Sequence, residues 1–455
     1  MNTVKSFLNK KNIQRIAGLL TAFAIFVAIS ELFNYLYVED DYWTRILWHN
    51  FYEDRGIIDN IYLGSSHVYS DLNPTILDDL NGQYNFNLST PVQYLNGSYY
   101  LLREADRLNT LSHVYLELYF KISVNSADGT DPIYESYQRN WTNTDYMHFS
   151  MNKARYALAI ISDTGKYEDL FFPFIRFRAQ LGNWDYIDKL MQTRETDSYH
   201  AYEYREFFGE DIGYNEYLKQ GYWYSTIIVP ETDLNIEQTL SMKENPLGEA
   251  SEEYLRKIIA YCQRRDIPIT LFVSPTPDLK LVSVEHYDYF INQIDDMAKE
   301  YQIPFYDFNL VKEEYLSLRP NEHFRDLDHL NVNGADIFTP FFSEVMLGDP
   351  SVNDKYFYSS YEEKLRETAP SVYGIYYHGL ETTDGSKKLF NIASNRKEEM
   401  EYKISMMPNE GEQYVVQDFA QNKQFTVPEY EHGVCIIETI IPDNPDNVQR
   451  MEINY

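Results

Sequence analysis

The sequence predicts an α/β protein on a mostly parallel sheet, with an apolar N-terminal helix and a small all-β C-terminal domain. Three patterns carry this expectation. An uncharged apolar run begins at Ile16. Short apolar runs then alternate with helical periodicity over residues 55–347, the signature of strand–helix units around a parallel sheet. Beyond residue 368 only short alternating segments remain, separated by Asn, Gly, Asp and Pro.

The N-terminal run is "RIAGLLTAFAIFVAISELFNYLYV", residues 15–38. Residues 16–38 approach the roughly 20 needed to cross a bilayer as a helix. Lys5, Lys10, Lys11 and Arg15 precede the run, and Glu39, Asp40 and Asp41 follow it. Basic residues stay on the cytoplasmic side, so residues 1–15 are expected inside and the rest outside. A cleaved signal peptide is the rival reading. The run is long for a signal sequence and no clear A-x-A site follows, so a single-pass anchor in the cell membrane is preferred. Glu31 lies near the outer end, where a charge is tolerable.

Within 55–347, "NIYLGSS" (60–66), "QYNFNLS" (83–89) and "SHVYLELYF" (112–120) read as strands. "GSYYLLREADRL" (97–108) has helical spacing between them. The pattern breaks over 125–245, a Tyr-rich stretch expected to be a helical insertion. It resumes with an amphipathic helix from 252, the strand "IPITLFVS", a helix over 284–301, the strand "IPFYDFN" (303–309) and a closing helix over 331–346. Residues 348–367 read as a polar linker. Residues 368–455 read as a small β-sandwich-like domain.

Composition excludes several functions. The 455 residues carry a formal net charge of −31, which repels nucleic acid, and no basic patch interrupts it. Two cysteines, Cys262 and Cys435, cannot make a disulfide framework or a cysteine zinc site. The 42 tyrosines suit both core packing and carbohydrate contact. The sequons at Asn87, Asn96 and Asn140 matter only in a glycosylating secretory pathway.

The chemistry concentrates in two stretches. "YLGSSH" puts Ser65 and Ser66 in a turn just past the first strand. Such serines are either a helix cap or a nucleophile. A serine nucleophile needs a base and an orienting acid. "HFRDLDHLNVNGAD", residues 323–336, offers Asp326 and His329 three residues apart, just before the closing helix. Both stretches fall at the carboxyl edge of the sheet, where ligands of such folds bind. Asp326, Asp328 and His329 could also hold a metal, but no second ligand cluster accompanies them, so no metal site is expected. His67 reads first as a packing or loop-fixing residue, and His323 as a flank of the loop.

Those two stretches resemble the first and last blocks of the SGNH/GDSL hydrolase superfamily, with Gly64-Ser65-Ser66 in place of Gly-Asp-Ser and "DLDH" (326–329) as the D-x-x-H block. With its N-terminal anchor the chain is similar to the DltD-like membrane-anchored proteins of bacterial cell envelopes. The resemblance covers about 55–347 and leaves out the β region. It implies a three-layer, flavodoxin-like domain, no cofactor, and acyl esterase or acyltransferase activity. Ser66 would be the nucleophile, His329 the general base and Asp326 its orienter. The substrate would be an acyl ester of a cell-surface polymer, with a membrane-bound O-acyltransferase as a partner handing over the acyl group. The family's middle Gly and Asn blocks are not evident here. Ser89 or Gln93 in "NLSTPVQYLNG" would stand in as oxyanion donors beside the Ser66 N–H, with His67 and Glu117 as further candidates. Glu117 would hold the region together or meet the ammonium of an aminoacyl ester. The missing blocks also leave a second reading, a catalytically degenerate glycan-binding or scaffold protein of an envelope complex.

Overall fold

A computed structural model describes residues 10–125, 137–235, 240–348, 353–380, 387–396, 400–441 and 444–455. Residues 1–9, 126–136 and 349–352 belong to the expected cytoplasmic tail, insertion and linker, and lie outside the described residues. The chain divides into two compact units, one of residues 1–46 and 144–204, the other of 47–143 and 205–455.

In the first unit, α1 (Lys10–Tyr37) is a single uninterrupted helix of 28 residues. Its Gln14–Tyr37 portion is long and apolar enough to cross a membrane. Its further helices include Met151–Thr164, the 3₁₀ segment Pro173–Gln180 and Trp184–Arg194. Asn183 starts the Trp184 helix by accepting the Tyr186 N–H, a side-chain cap.

The second unit holds a five-stranded parallel sheet. Its strands are β1 (Asn60–Leu63), β2 (Asn85–Asn87), β3 (His113–Glu117), β4 (Ile269–Val273) and β5 (Phe305–Asp307). Their order is β5-β4-β3-β1-β2. Strands β1, β2 and β4 are buried throughout, and β1 and β4 are the near-continuous apolar runs expected where both sheet faces are covered. Tyr62, Tyr115 and Phe272 point to one face. All three pack on Phe342 of the closing helix α2 (Val332–Leu347), and Tyr62 stacks on Tyr115 at 4.7 Å between centroids. The reversal of strand order falls between β1 and β3, which opens a crevice at their carboxyl ends.

The insertion is not simply helical. Arg205–Gly209, Gly213–Leu218 and Tyr222–Ser225 form a three-stranded antiparallel sheet in the second unit. The tyrosines that suggested irregular chain are strand formers. The linker is likewise not plain: Tyr361–Glu367 is a helix. Ser360 accepts the Glu363 N–H at 3.0 Å and the Glu363 carboxylate accepts the Ser359 N–H at 2.7 Å, a capping pair shifted by one residue on the return bond.

The C-terminal strands are β6 (Val372–Leu380), β7 (Lys387–Ser394), β8 (Glu401–Pro408), β9 (Tyr414–Ala420), β10 (Gln424–Pro428), β11 (Gly433–Ile441) and β12 (Asn444–Asn454). They make two antiparallel sheets, β6-β7-β10 and β9-β8-β11-β12. Ile375, Phe390 and Val427 of the first sheet share one buried cluster with Ile404, Cys435 and Ile453 of the second. Both cysteines are buried and free, and burial raises each thiol to about 12.

Candidate active site

Leu63 ends β1 and the chain turns at Gly64. A Cβ at Gly64 would lie 2.6 Å from Glu117 Oε2 and 2.6 Å from Val68 Cγ2, so any side chain there must displace one of them. The two serines that follow divide the roles left open by the sequence. Ser65 caps the short helix Ser66–Asp71, accepting the His67 N–H at 3.5 Å. Ser66 faces His329: Ser66 Oγ lies 2.7 Å from His329 Nε2. His329 Nδ1 lies 2.9 Å from both oxygens of Asp326.

The loop that carries His329 is built locally. Asp326 Oδ1 accepts the backbone N–H groups of Asp328 and His329, each at 2.8 Å. Asn331 then caps α2, accepting the Gly334 N–H at 3.1 Å. A Cβ at Gly334 would stand 2.2 Å from the His323 carbonyl oxygen, so "LNVNG" admits only glycine there. Asp71, fully buried at the end of the Ser66 helix, accepts the Leu330 N–H at 3.0 Å. This bond ties the helix that begins at Ser66 to the loop bearing His329.

A carboxylate can only accept, so Asp326 fixes the imidazole proton on Nδ1 and leaves the Nε2 lone pair for the Ser66 hydroxyl. Partial burial would raise the Asp326 carboxyl. The neighbouring His329, through charge and hydrogen bond, and then Arg325 outweigh it and hold the group well below the usual carboxylate range. Arg325 Nε stands 3.4 Å from Asp326 Oδ2.

Glu117 lies at the end of β3, behind the turn. Its Oε2 accepts the Ser65 N–H at 3.0 Å and the Ser65 hydroxyl at 3.2 Å. Burial raises its carboxyl to about 7, against the pull of those two bonds. His67 is buried, with Nδ1 3.7 Å from Glu117 Oε1, beyond hydrogen-bond length. Its ring packs 4.0 Å from Tyr119 and 5.1 Å from His329 between centroids. Burial, and then the His329 charge, push its pKa well down, so His67 is a neutral packed ring.

Ser89 and Gln93 are both buried. The Gln93 amide donates to Ser98 Oγ at 3.0 Å and its carbonyl accepts from Thr90, so its polar atoms are engaged inside their own loop rather than aimed at Ser66. Ser89 follows β2 at the level of Gly64 in the strand register.

A second polar array was not read from the sequence. Asp328 pairs with Lys280, and its Oδ1 also accepts the Tyr119 hydroxyl at 2.6 Å. Burial lowers the Lys280 ammonium to about 8, against the opposing pull of Asp328. Asp328 is thus turned away from any shared metal site with Asp326 and His329. Among the described residues no group of three or more His, Cys, Asp or Glu is arranged to hold a metal. Lys280 and Asp328 are 48 residues apart, and no local motif announces their meeting. With His329, Asp326, Arg325, Phe120 and Val229 they line a cavity of about 660 Å³; Ser66 does not line it but hydrogen-bonds to His329, which does.

No family model matches the chain, and no curated protein does. Among solved structures it is similar to a Bacteroides fragilis protein provisionally assigned as an acylhydrolase, at 10% identity and a TM-score of 0.29, over 64% of this chain and 86% of that one. It is also similar to a double mutant of a Cellulomonas fimi endo-β-1,4-mannanase, at 8% identity and a TM-score of 0.16, over 92% and 98% of the two chains. At these scores the likeness carries neither fold nor activity to this chain.

Proposed function

We propose that the chain is an SGNH-type serine acyl esterase or acyltransferase, held at the outer face of a cell membrane by α1. The observation that carries this reading is the continuous Ser66–His329–Asp326 hydrogen-bonded chain, at 2.7 and 2.9 Å. It sits beside the crevice of a 2-1-3-4-5 sheet, the flavodoxin-like order, whose switch point is the expected ligand position.

In this reading Ser66 Oγ attacks the ester carbonyl carbon while His329 Nε2 takes the hydroxyl proton. The Ser66 N–H, at the start of its helix, faces the developing oxyanion, a contact worth about 3 kcal/mol in comparable sites. Collapse breaks the bond to the alkoxy oxygen, and His329 returns the proton to that leaving group. The acyl-Ser66 ester then passes its acyl group to water, or to a hydroxyl of a cell-surface polymer, with His329 again moving the proton. Asp326 keeps the imidazole in the needed tautomer and stabilises its charged form. A membrane-bound O-acyltransferase is the natural acyl supplier for the transferase version. The scaffold alternative draws on the inward-turned Gln93. Against it stands a serine and an imidazole in hydrogen-bond register, which a pure scaffold has no need to keep.

The test is turnover of short-chain acyl esters by the detergent-solubilised full chain. Wild-type turnover that vanishes in Ser66→Ala supports the reading, and turnover equal in both contradicts it.

A further inference from the structure

The first unit places an aromatic segment, "FFPFIRFRAQLG" (171–182), along α1. Phe172 packs edge-on against Phe26 at 5.6 Å, and Phe174 against Phe33 at 5.1 Å, between centroids. Asn34 Oδ1 accepts the Phe174 N–H at 3.1 Å. Nearer the helix end, the Gly182 N–H donates to the Tyr37 hydroxyl at 3.4 Å and the Tyr186 hydroxyl to the Tyr37 carbonyl at 3.0 Å. Arg194 binds the carbonyls of Tyr35 and Val38 and pairs with Asp40 at 2.5 Å. The segment therefore tracks the helix from the level of Tyr37 down to that of Phe26. Eleven residues of helix are roughly 16 Å.

Depth follows from this packing. Whatever medium surrounds Phe26 and Phe33 also surrounds the rings laid against them. The acidic run Glu39, Asp40 and Asp41, just past Tyr37, marks the outer polar level of α1, because charge inside hydrocarbon is costly. Phe26 is eleven residues below Tyr37, roughly 16 Å, so the rings laid on Phe26 and Phe33 fall within the outer half of a core about 30 Å thick. The Pro173–Gln180 segment has no buried residue of its own. Leu181, Trp184 and Tyr167 are exposed beside it, Trp184 at 77%. Trp and Tyr concentrate at membrane interfaces, and an exposed arginine such as Arg178 can carry its head up to phosphate while its stem stays in the apolar layer.

We propose that residues 170–184 are a membrane-seated element, embedded in the outer leaflet against α1 and flanked by Tyr167 and Trp184 at headgroup level. The occupant of its exposed face is phospholipid. The inference rests on the reading of α1 as an anchor.

The test uses the full chain reconstituted in phosphatidylcholine–phosphatidylglycerol vesicles, with a nitroxide on one introduced cysteine at a time. Ile175→Cys and Leu181→Cys probe the segment, Leu20→Cys the anchor, and Val415→Cys an exposed β-domain position. The two native cysteines are buried. The expected result is an oxygen-to-nickel collision ratio several-fold above that of Val415→Cys at Leu20 and Ile175, with Leu181 between. An apolar signal at Leu20 with Ile175 and Leu181 resembling Val415 would overturn the seating and leave the anchor intact. An aqueous signal at Leu20 would overturn the anchor, and the seating with it. Ile175 shielded from both oxygen and nickel would mean a protein surface covers the segment, which also overturns the proposal.

Discussion

Asp326 and Glu117 are acids on opposite sides of the Ser65–Ser66 turn, and their carboxyls are driven in opposite directions. Asp326 is half exposed, meets an imidazole, two backbone N–H groups and a guanidinium, and is held ionised. Glu117 is sealed behind the turn, meets one N–H, one hydroxyl and a neutral His67, and is pushed up to about 7. The difference teaches that an acid near a candidate nucleophile takes its role from its partners. A carboxylate kept charged can orient a base and stabilise its cation. Glu117 spends one oxygen on the Ser65 N–H and hydroxyl, and so holds the turn in place.

Four substitutions break or sharpen that contrast. Ser66→Ala removes the attacking oxygen, and ester turnover should fall to background, a loss on the order of 10⁶ in kcat. Asp326→Asn keeps the shape but can donate from its amide, which releases the His329 tautomer. A kcat loss on the order of 10⁴ is expected, with KM little changed.

Glu117→Gln should be mild in turnover, about tenfold or less, and plain in stability. With its pKa raised, the folded state binds this proton more tightly than the unfolded chain between about pH 4.5 and about 7. Stability therefore falls as pH rises through that window, by about 3 kcal/mol for a shift of this size. Denaturant titrations of Glu117→Gln should show a shallower fall over the same window; an unchanged slope would remove Glu117 as its source. Asp326 has the opposite sign. Its contribution is present above the unfolded pKa near 4 and is lost as pH falls through its lower folded value. Asp326→Asn should blunt acid unfolding and leave the neutral window alone. The smallest effect is expected from Gly64→Ala, whose methyl would press on Glu117 and Val68. A stability loss of about 1–3 kcal/mol is expected from overpacking, read by thermal unfolding.

Much of this was legible in the sequence, for identifiable reasons. Buried parallel strands are short apolar runs, so β1, β3 and β4 stood out. "GSSH" and "DLDHLNVNG" carry their own turn and cap chemistry, so the Ser66, Asp326 and His329 positions could be named in advance. The residues alone left the roles of the two serines open, because a cap and a nucleophile share one residue type; only the family resemblance assigned Ser66 as the nucleophile. Asp71 reads as an ordinary helix-end acid until the fold brings Leu330 to it. The Asp328–Lys280–Tyr119 array joins three distant stretches and leaves no local trace. The antiparallel strands over 205–225 and the helix at 361–367 did leave signals, the aromatic strand formers of "REFFG" and "YWYS" and Ser360 three residues before Glu363. Tyr-rich and polar composition masked them.

The most direct test of the central claim is fluorophosphonate labelling of the full chain, beside Ser66→Ala and His329→Ala. A covalent adduct on Ser66 that disappears in both variants is expected. An adduct that persists in Ser66→Ala, or forms on Ser66 as fast without His329 as with it, would contradict the assignment of an activated serine.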